Sequence, residues 1–146
     1  MRLLLLALAC LAGLLASPPS RAQSVLSDPC MSATATQVPF ALTTVSQTLK
    51  VVSGVTNKRI YVCYVFGMAS VTDTIIIVEG TGVNCGTGQA AVVGSPTVGL
   101  PFGSNGGFSP QRGNYTVFST QTAGDDLCFT QSTAGPFSGW LLEVTQ

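Results

Sequence analysis

The side chains best suited to chemistry in this 146-residue chain are six carboxylates and five cysteines, and there is no histidine. An acyl-transfer nucleophile needs a base to take its proton, usually an imidazole, and none is present. Glycoside hydrolysis needs two positioned carboxylates. The acids are few, and Asp73, Asp125 and Asp126 fall in turn-like contexts, where Asp commonly bonds its own backbone. Asp125-Asp126 lacks the dense oxygen spacing of calcium loops. A zinc site would have to gather distant thiolates without a C-x-x-C pair. The glycine-rich stretch at 80–88 has the spacing G-x-G-x-x-x-G. No helical pattern follows it, so it reads as a loop rather than a phosphate cradle. We therefore expect no catalytic residue, no cofactor and no metal, and we do not expect an enzyme.

The cysteines point to a compartment instead. Residues 1–22 combine a positive start, the apolar run 3–15 and the small-x-small site Ser20-x-Ala22, which reads as a cleaved signal peptide. The apolar run is too short to span a bilayer. Cys10 lies inside it, with Ala7 rather than a large aliphatic three residues earlier, so it reads as lost with the signal and not as a lipid anchor. Cys30, Cys63, Cys85 and Cys128 remain, and an even count in an exported chain reads as two disulfides. Three pairings are open. The expected location is secreted, extracellular or periplasmic. The sequon Asn114-Tyr115-Thr116 is discounted because the signal has a bacterial look.

Charged residues are 8 % of the chain, against about a quarter in an ordinary domain. After residue 22 the basic ones are Lys50, Lys58, Arg59 and Arg112, and the acidic ones are Asp28, Asp73, Glu79, Asp125, Asp126 and Glu143. No basic patch offers itself to nucleic acid or to anionic lipid.

The elements that would position these residues are strands. Two long β-branched and aromatic runs, 59–68 and 74–79, are joined by Ala69-Ser70-Val71-Thr72-Asp73 and read as a central hairpin. Shorter candidate strands are 38–42 (an edge, given Pro39), 48–52, 90–93, 97–100, 115–119, 127–131 and 139–144. Residues 23–36 read as an extended arm tied down by Cys30, and 102–113 as a glycine-rich surface loop. Eight or so short strands and no convincing helix imply an all-β fold. We expect a two-sheet antiparallel β-sandwich over 37–146, jelly-roll-like and stapled by disulfides.

Two aromatic residues in the 102–113 loop, Phe102 and Phe108, are candidate ligand contacts, because exposed rings stack on sugars or anchor partners. The bland reading folds them back over the end of the sandwich.

Four stretches stand out: Lys58-Arg59-Ile60-Tyr61-Val62-Cys63; Glu79-Gly80-Thr81-Gly82 with Asn84-Cys85-Gly86-Thr87-Gly88; Ala123-Gly124-Asp125-Asp126-Leu127-Cys128; and Ser138-Gly139. Together they resemble a group of small β-sandwich proteins encoded in tailed-phage and environmental bacterial genomes. The resemblance runs from Lys58 to the C-terminus. It implies a virion accessory or decoration module, or an exported protein. The secretion signal is a departure that favours the exported role. The resemblance also implies that Cys85 pairs with Cys128, leaving Cys30 for Cys63.

The expected function is a secreted, non-enzymatic structural or adhesion module, with a carbohydrate-binding module using loop aromatics as the alternative. Partners in view are a cell-surface glycan or protein, and a further copy of the chain. The last arises because 60–66 is apolar at both parities: Ile60, Val62, Tyr64 and Phe66 on one, and Tyr61, Cys63 and Val65 on the other. A half-buried strand should alternate, so something must cover the second face. Either the arm 23–36 and the loop 102–113 drape across it, or another copy does.

Overall fold

The computed structural model describes residues 28–94, 98–108, 115–133 and 135–146. The signal at 1–22, the first part of the arm, the sequon Asn114 and part of the 102–113 loop lie outside the described residues. Among the described residues there are ten strands: β1 (Thr36–Leu42), β2 (Thr48–Val52), β3 (Ile60–Ala69), β4 (Asp73–Thr81), β5 (Thr87–Val93), β6 (Leu100–Phe102), β7 (Gly107–Phe108), β8 (Phe118–Ser119), β9 (Asp126–Gln131) and β10 (Phe137–Thr145). One sheet runs β1-β10-β3-β7, with β8 also on β3; the other runs β2-β9-β4-β5, with β6 also on β4. Every pairing is antiparallel. The pairs β1:β10, β2:β9, β3:β8 and β4:β5 are the rungs of one long antiparallel ribbon, closed at the β4–β5 turn and rolled so that alternate pairs fall in opposite sheets. That is a jelly roll, a two-sheet sandwich built from Greek-key connections.

The two long runs are not a hairpin. β3 lies in one sheet and β4 in the other. Each is rich in Val and Ile and needs a paired neighbour on both sides as well as a buried face. Facing each other across the core, each keeps paired neighbours in its own sheet and buries its inner face against the other. Their inner residues, Ile60, Val62 and Val65 on β3 and Ile75 and Ile77 on β4, are all at most 1 % exposed. Phe40, Phe129 and Phe137 fill the space between. Phe40 meets Phe129 edge-on at 4.9 Å and stacks on Phe137 at 5.5 Å. Gly67 faces inward beneath that cluster, where a Cβ would run into the Phe137 ring.

A bulge in β3 changes the face assignment made from alternation. Tyr64 pairs with Leu142 and Val62 with Glu143, so Cys63 is an extra residue with no partner across the ladder. One extra residue flips the parity of everything after it. Ile60 and Val62 point inward before the bulge, and Val65, Gly67 and Ala69 after it. Tyr64 and Phe66 therefore point outward, not inward with Ile60.

Cys63 bonds Cys30, with Cα atoms 5.4 Å apart, and Cys85 bonds Cys128, at 6.2 Å. The first staples a helical turn, α1 (Pro29–Ser32), against β3 and β10 on the outer face of the first sheet, so the arm is not extended there. The second closes a small satellite cluster with Val78 on the outer face of the other sheet. Two disulfides are consistent with an extracellular or otherwise oxidising compartment. No helix among the described residues is long and apolar enough to cross a membrane.

The loops closed span 33 and 43 residues, which in the chain-entropy picture stabilises by about 4 kcal/mol each. Thiol labelling of the protein after denaturation without reductant should find no reactive thiol in the segment after residue 22. Alkylation of Cys30, Cys63, Cys85 or Cys128 under those conditions would contradict the pairing.

Candidate functional site

Five of the six carboxylates fall into three places, and most of these are tied to backbone amides; the sixth, Glu143 on β10, accepts from the Thr145 hydroxyl at 2.8 Å. At one end of the sandwich Glu79, the inward-facing residue near the end of β4, is 1 % exposed. Its Oε2 accepts from the Gln121 backbone N–H, and its Oε1 accepts from the Thr122 N–H at 3.2 Å and the Thr122 hydroxyl at 3.0 Å. Asp126, the first residue of β9, accepts from the Gly54 N–H at 2.8 Å and pairs with Lys50 Nζ at 3.1 Å. Asp125 lies within electrostatic reach of both acids. Desolvation first, and then the charges of Glu79 and Asp126, push its carboxyl above the usual carboxylate range.

Asp73 sits at the opposite end. From Asp73 to Glu79 is six residues of strand, about 20 Å, so Asp73 cannot form a hydrolytic pair with Asp125 or Asp126, whose carboxyls would have to stand about 5–10 Å apart. Asp73 is no solvated turn residue, being 2 % exposed. Among the described residues no three His, Cys, Asp or Glu side chains group as metal ligands.

The third place is the arm. Asp28 caps α1, accepting from the Cys30 N–H at 2.9 Å, and also binds the Thr116 N–H at 2.8 Å and the Thr116 hydroxyl at 2.7 Å. Desolvation raises its carboxyl, but the hydrogen bonds from Thr116 and Cys30 outweigh it, and the net shift is downward. Together with Cys30–Cys63 this clasp fixes the arm over one end of the outer face of the first sheet.

The glycine-rich stretch contains a 3-10 turn, Val83–Cys85, followed directly by β5. Gly80 and Thr81 close β4 and Thr87 and Gly88 open β5, so the stretch is strand, turn and strand rather than a loop throughout. Cys85 is fully buried in it. Phe102 is the last residue of β6, turned toward the core and stacked on Phe137 at 6.0 Å, in the folded-back arrangement. The side chain of Phe108 lies outside the described residues; its backbone pairs with Gly67.

The feature that alternation alone did not place is an aromatic strip on the outer face of the first sheet. Trp140 on β10 lies opposite Phe66 on β3. Its ring is 4.8 Å from Tyr64 and 6.5 Å from Phe66. All three are half-buried, and Met68 beside them is 48 % exposed. Around the strip, Pro39, Ala41 and Ser138 on neighbouring strands share the outward parity and bring no charge. The signal in the sequence was the alternation of Trp140 and Leu142 with Leu141. The bulge at Cys63 hid the matching parity on β3.

No family model matches this chain, and neither a curated protein nor a solved structure matches it significantly.

The shifts make opposite predictions. Asp28 has a lowered folded-state value, so its contribution is present above the unfolded value of 3.8 and is lost as pH falls through the folded value. The unfolding midpoints of wild type and Asp28→Asn should differ at neutral pH and converge in acid below 3.8. Asp125 has a raised value, so its ionised form is penalised at neutral pH and the penalty vanishes once pH falls below the unfolded value of 3.8. Asp125→Asn should raise the midpoint at neutral pH, with the gain fading in acid. Thermal unfolding across a pH series checks both.

Proposed function

We propose that this chain is an exported, non-enzymatic β-sandwich that works through its surface, as a structural or adhesion module. The observation that carries the reading is the aromatic strip of Tyr64, Phe66 and Trp140. Large rings held on a rigid sheet supply contact area at low entropic cost, and an uncharged surround suits a neutral partner. The acids lend support, since Asp28, Glu79 and Asp126 tie backbone segments together. The kinship with small phage and bacterial β-sandwich proteins belongs to the same proposal, in its exported form.

A second reading is favoured by the same strip: glycan binding, with the sugar stacking on Trp140 and Tyr64. It moves the contacts of a carbohydrate-binding module from the loop to the sheet face, because Phe102 is engaged with Phe137.

Trp140→Ala separates the readings. Sedimentation at micromolar concentration and a glycan array, run on wild type and variant, should show association or sugar binding that the variant loses by tenfold or more while it stays folded. Self-association without sugar binding supports the structural role; array signals lost in the variant support the glycan role. Turnover on a hydrolase panel that disappears in Asp125→Ala would overturn both.

A further inference from the structure

Where β3 hands over to β4, two side-chain oxygens have no partner that the fold supplies. Asp73 concentrates its donors on one oxygen: Oδ1 accepts from the N–H groups of Thr74 at 2.7 Å, Ser132 at 3.1 Å and Thr133 at 2.9 Å, and from the Ser132 hydroxyl at 3.1 Å. Oδ2 is buried with no hydrogen-bond donor. Gln131, the last residue of β9, is fully buried. The two hydrogens on its Nε2 are shared among three carbonyls, those of Thr44 at 2.9 Å, Thr133 at 2.7 Å and Gly135 at 3.0 Å. Three carbonyl acceptors settle which end of the amide is nitrogen, because an oxygen there would face only other acceptors. The other end is an acceptor, and Oε1 is likewise buried with no donor.

The two groups are neighbours. Gln131 pairs with Ile75, and Asp73 precedes Ile75 by two residues on the same strand, so both sit on the inward face of one sheet in a diagonal relation. Thr133 joins them, giving its N–H to Asp73 and its carbonyl to Gln131. Two buried acceptors so placed call for donors or for positive charge. An ionised carboxylate buried without a counter-charge costs several kcal/mol. Among the described residues the one ion pair is Lys50–Asp126, at the far end of the sandwich.

We propose that Asp73 Oδ2 and Gln131 Oε1 are ligands of a site for a hard divalent cation, Ca²⁺, with main-chain oxygen of the surrounding turns completing the shell. Carboxylate, side-chain amide and carbonyl oxygen are its preferred donors, and a flexible coordination number suits a site assembled from turns. Mg²⁺ demands near-ideal octahedral geometry and sheds water reluctantly, so it should bind less well. A single carboxylate places the affinity in the weak class of extracellular modules, roughly 10⁻⁴–10⁻³ M. The bound ion would tie the turns at 43–47 and 70–72 to the segment around Thr133 and Gly135.

The test uses the secreted protein stripped with a chelator. Calorimetric titration with CaCl₂ should give one site per chain, and the thermal midpoint should rise with CaCl₂ through the millimolar range but not with MgCl₂ at equal ionic strength. Asp73→Asn keeps an oxygen for the four donors while losing the charge, and should weaken binding at least tenfold. Ser132→Ala removes a donor to Oδ1 but no ligand, and should keep the response. Absence of heat and midpoint shift in the wild type, meaning an internal water only, would overturn the proposal without reference to any variant. So would an equal response to Mg²⁺, or a Ca²⁺ response undiminished in Asp73→Asn.

Discussion

The mutual burial of the inner faces of β3 and β4 is the constraint on which the rest of the molecule depends. Each strand is too apolar to serve as an edge and too long to be covered by a loop. Placing one in each sheet lets Ile60, Val62 and Val65 meet Ile75 and Ile77 across a single core. The ribbon must then fold over between them, within the short connection at 70–72. Once it does, β10 and β9 fall beside them, and β1 and β2 take the outer places. The phenylalanine cluster fills what the aliphatic residues leave open, at the density that interiors require.

A sandwich rolled this way has two open ends, and each is closed by a buried polar residue rather than by more hydrophobic surface. Glu79 serves at one end and Gln131 with Asp73 at the other. The reason is that loops arrive there with backbone groups that a buried setting must satisfy. A carboxylate accepts several amide N–H groups at once, and a primary amide can donate to carbonyls from several turns. Thr120 does the same on a smaller scale, its hydroxyl accepting from the Ile60 N–H at 3.0 Å. Removing such a group would strand its partners away from water, at about 1–3 kcal/mol for each one left unmade.

The same economy shapes the outside. With so few charges, the surface is made of small polar residues, and its largest features are rings and exposed aliphatics. The bulge at Cys63 serves two ends. It frees the cysteine from the ladder so that it can hold α1, and it turns Tyr64 and Phe66 outward to join Trp140. The arm and the aromatic strip thus divide one sheet face between them, the arm at the end where β3 begins and the strip toward its other end.

By itself the sequence determined the class of structure. β-branched and aromatic runs broken by Gly, Pro and Asn are local signals, so strands such as 48–52 and 127–131 were legible almost to the residue. That four cysteines form two bonds was legible from their even count, though spacing left three pairings open, and the charge-poor surface was legible from composition. Tertiary structure alone decided that β3 and β4 face rather than pair, since strand pairing is non-local and both arrangements use the same residues. It alone decided the outward strip, because an inserted residue reverses parity downstream and leaves no mark in a period-two pattern. It alone turned Asp73 from a turn former into a buried group, because burial depends on where the β9–β10 turn lands, and nothing within a few residues of Asp73 specifies that.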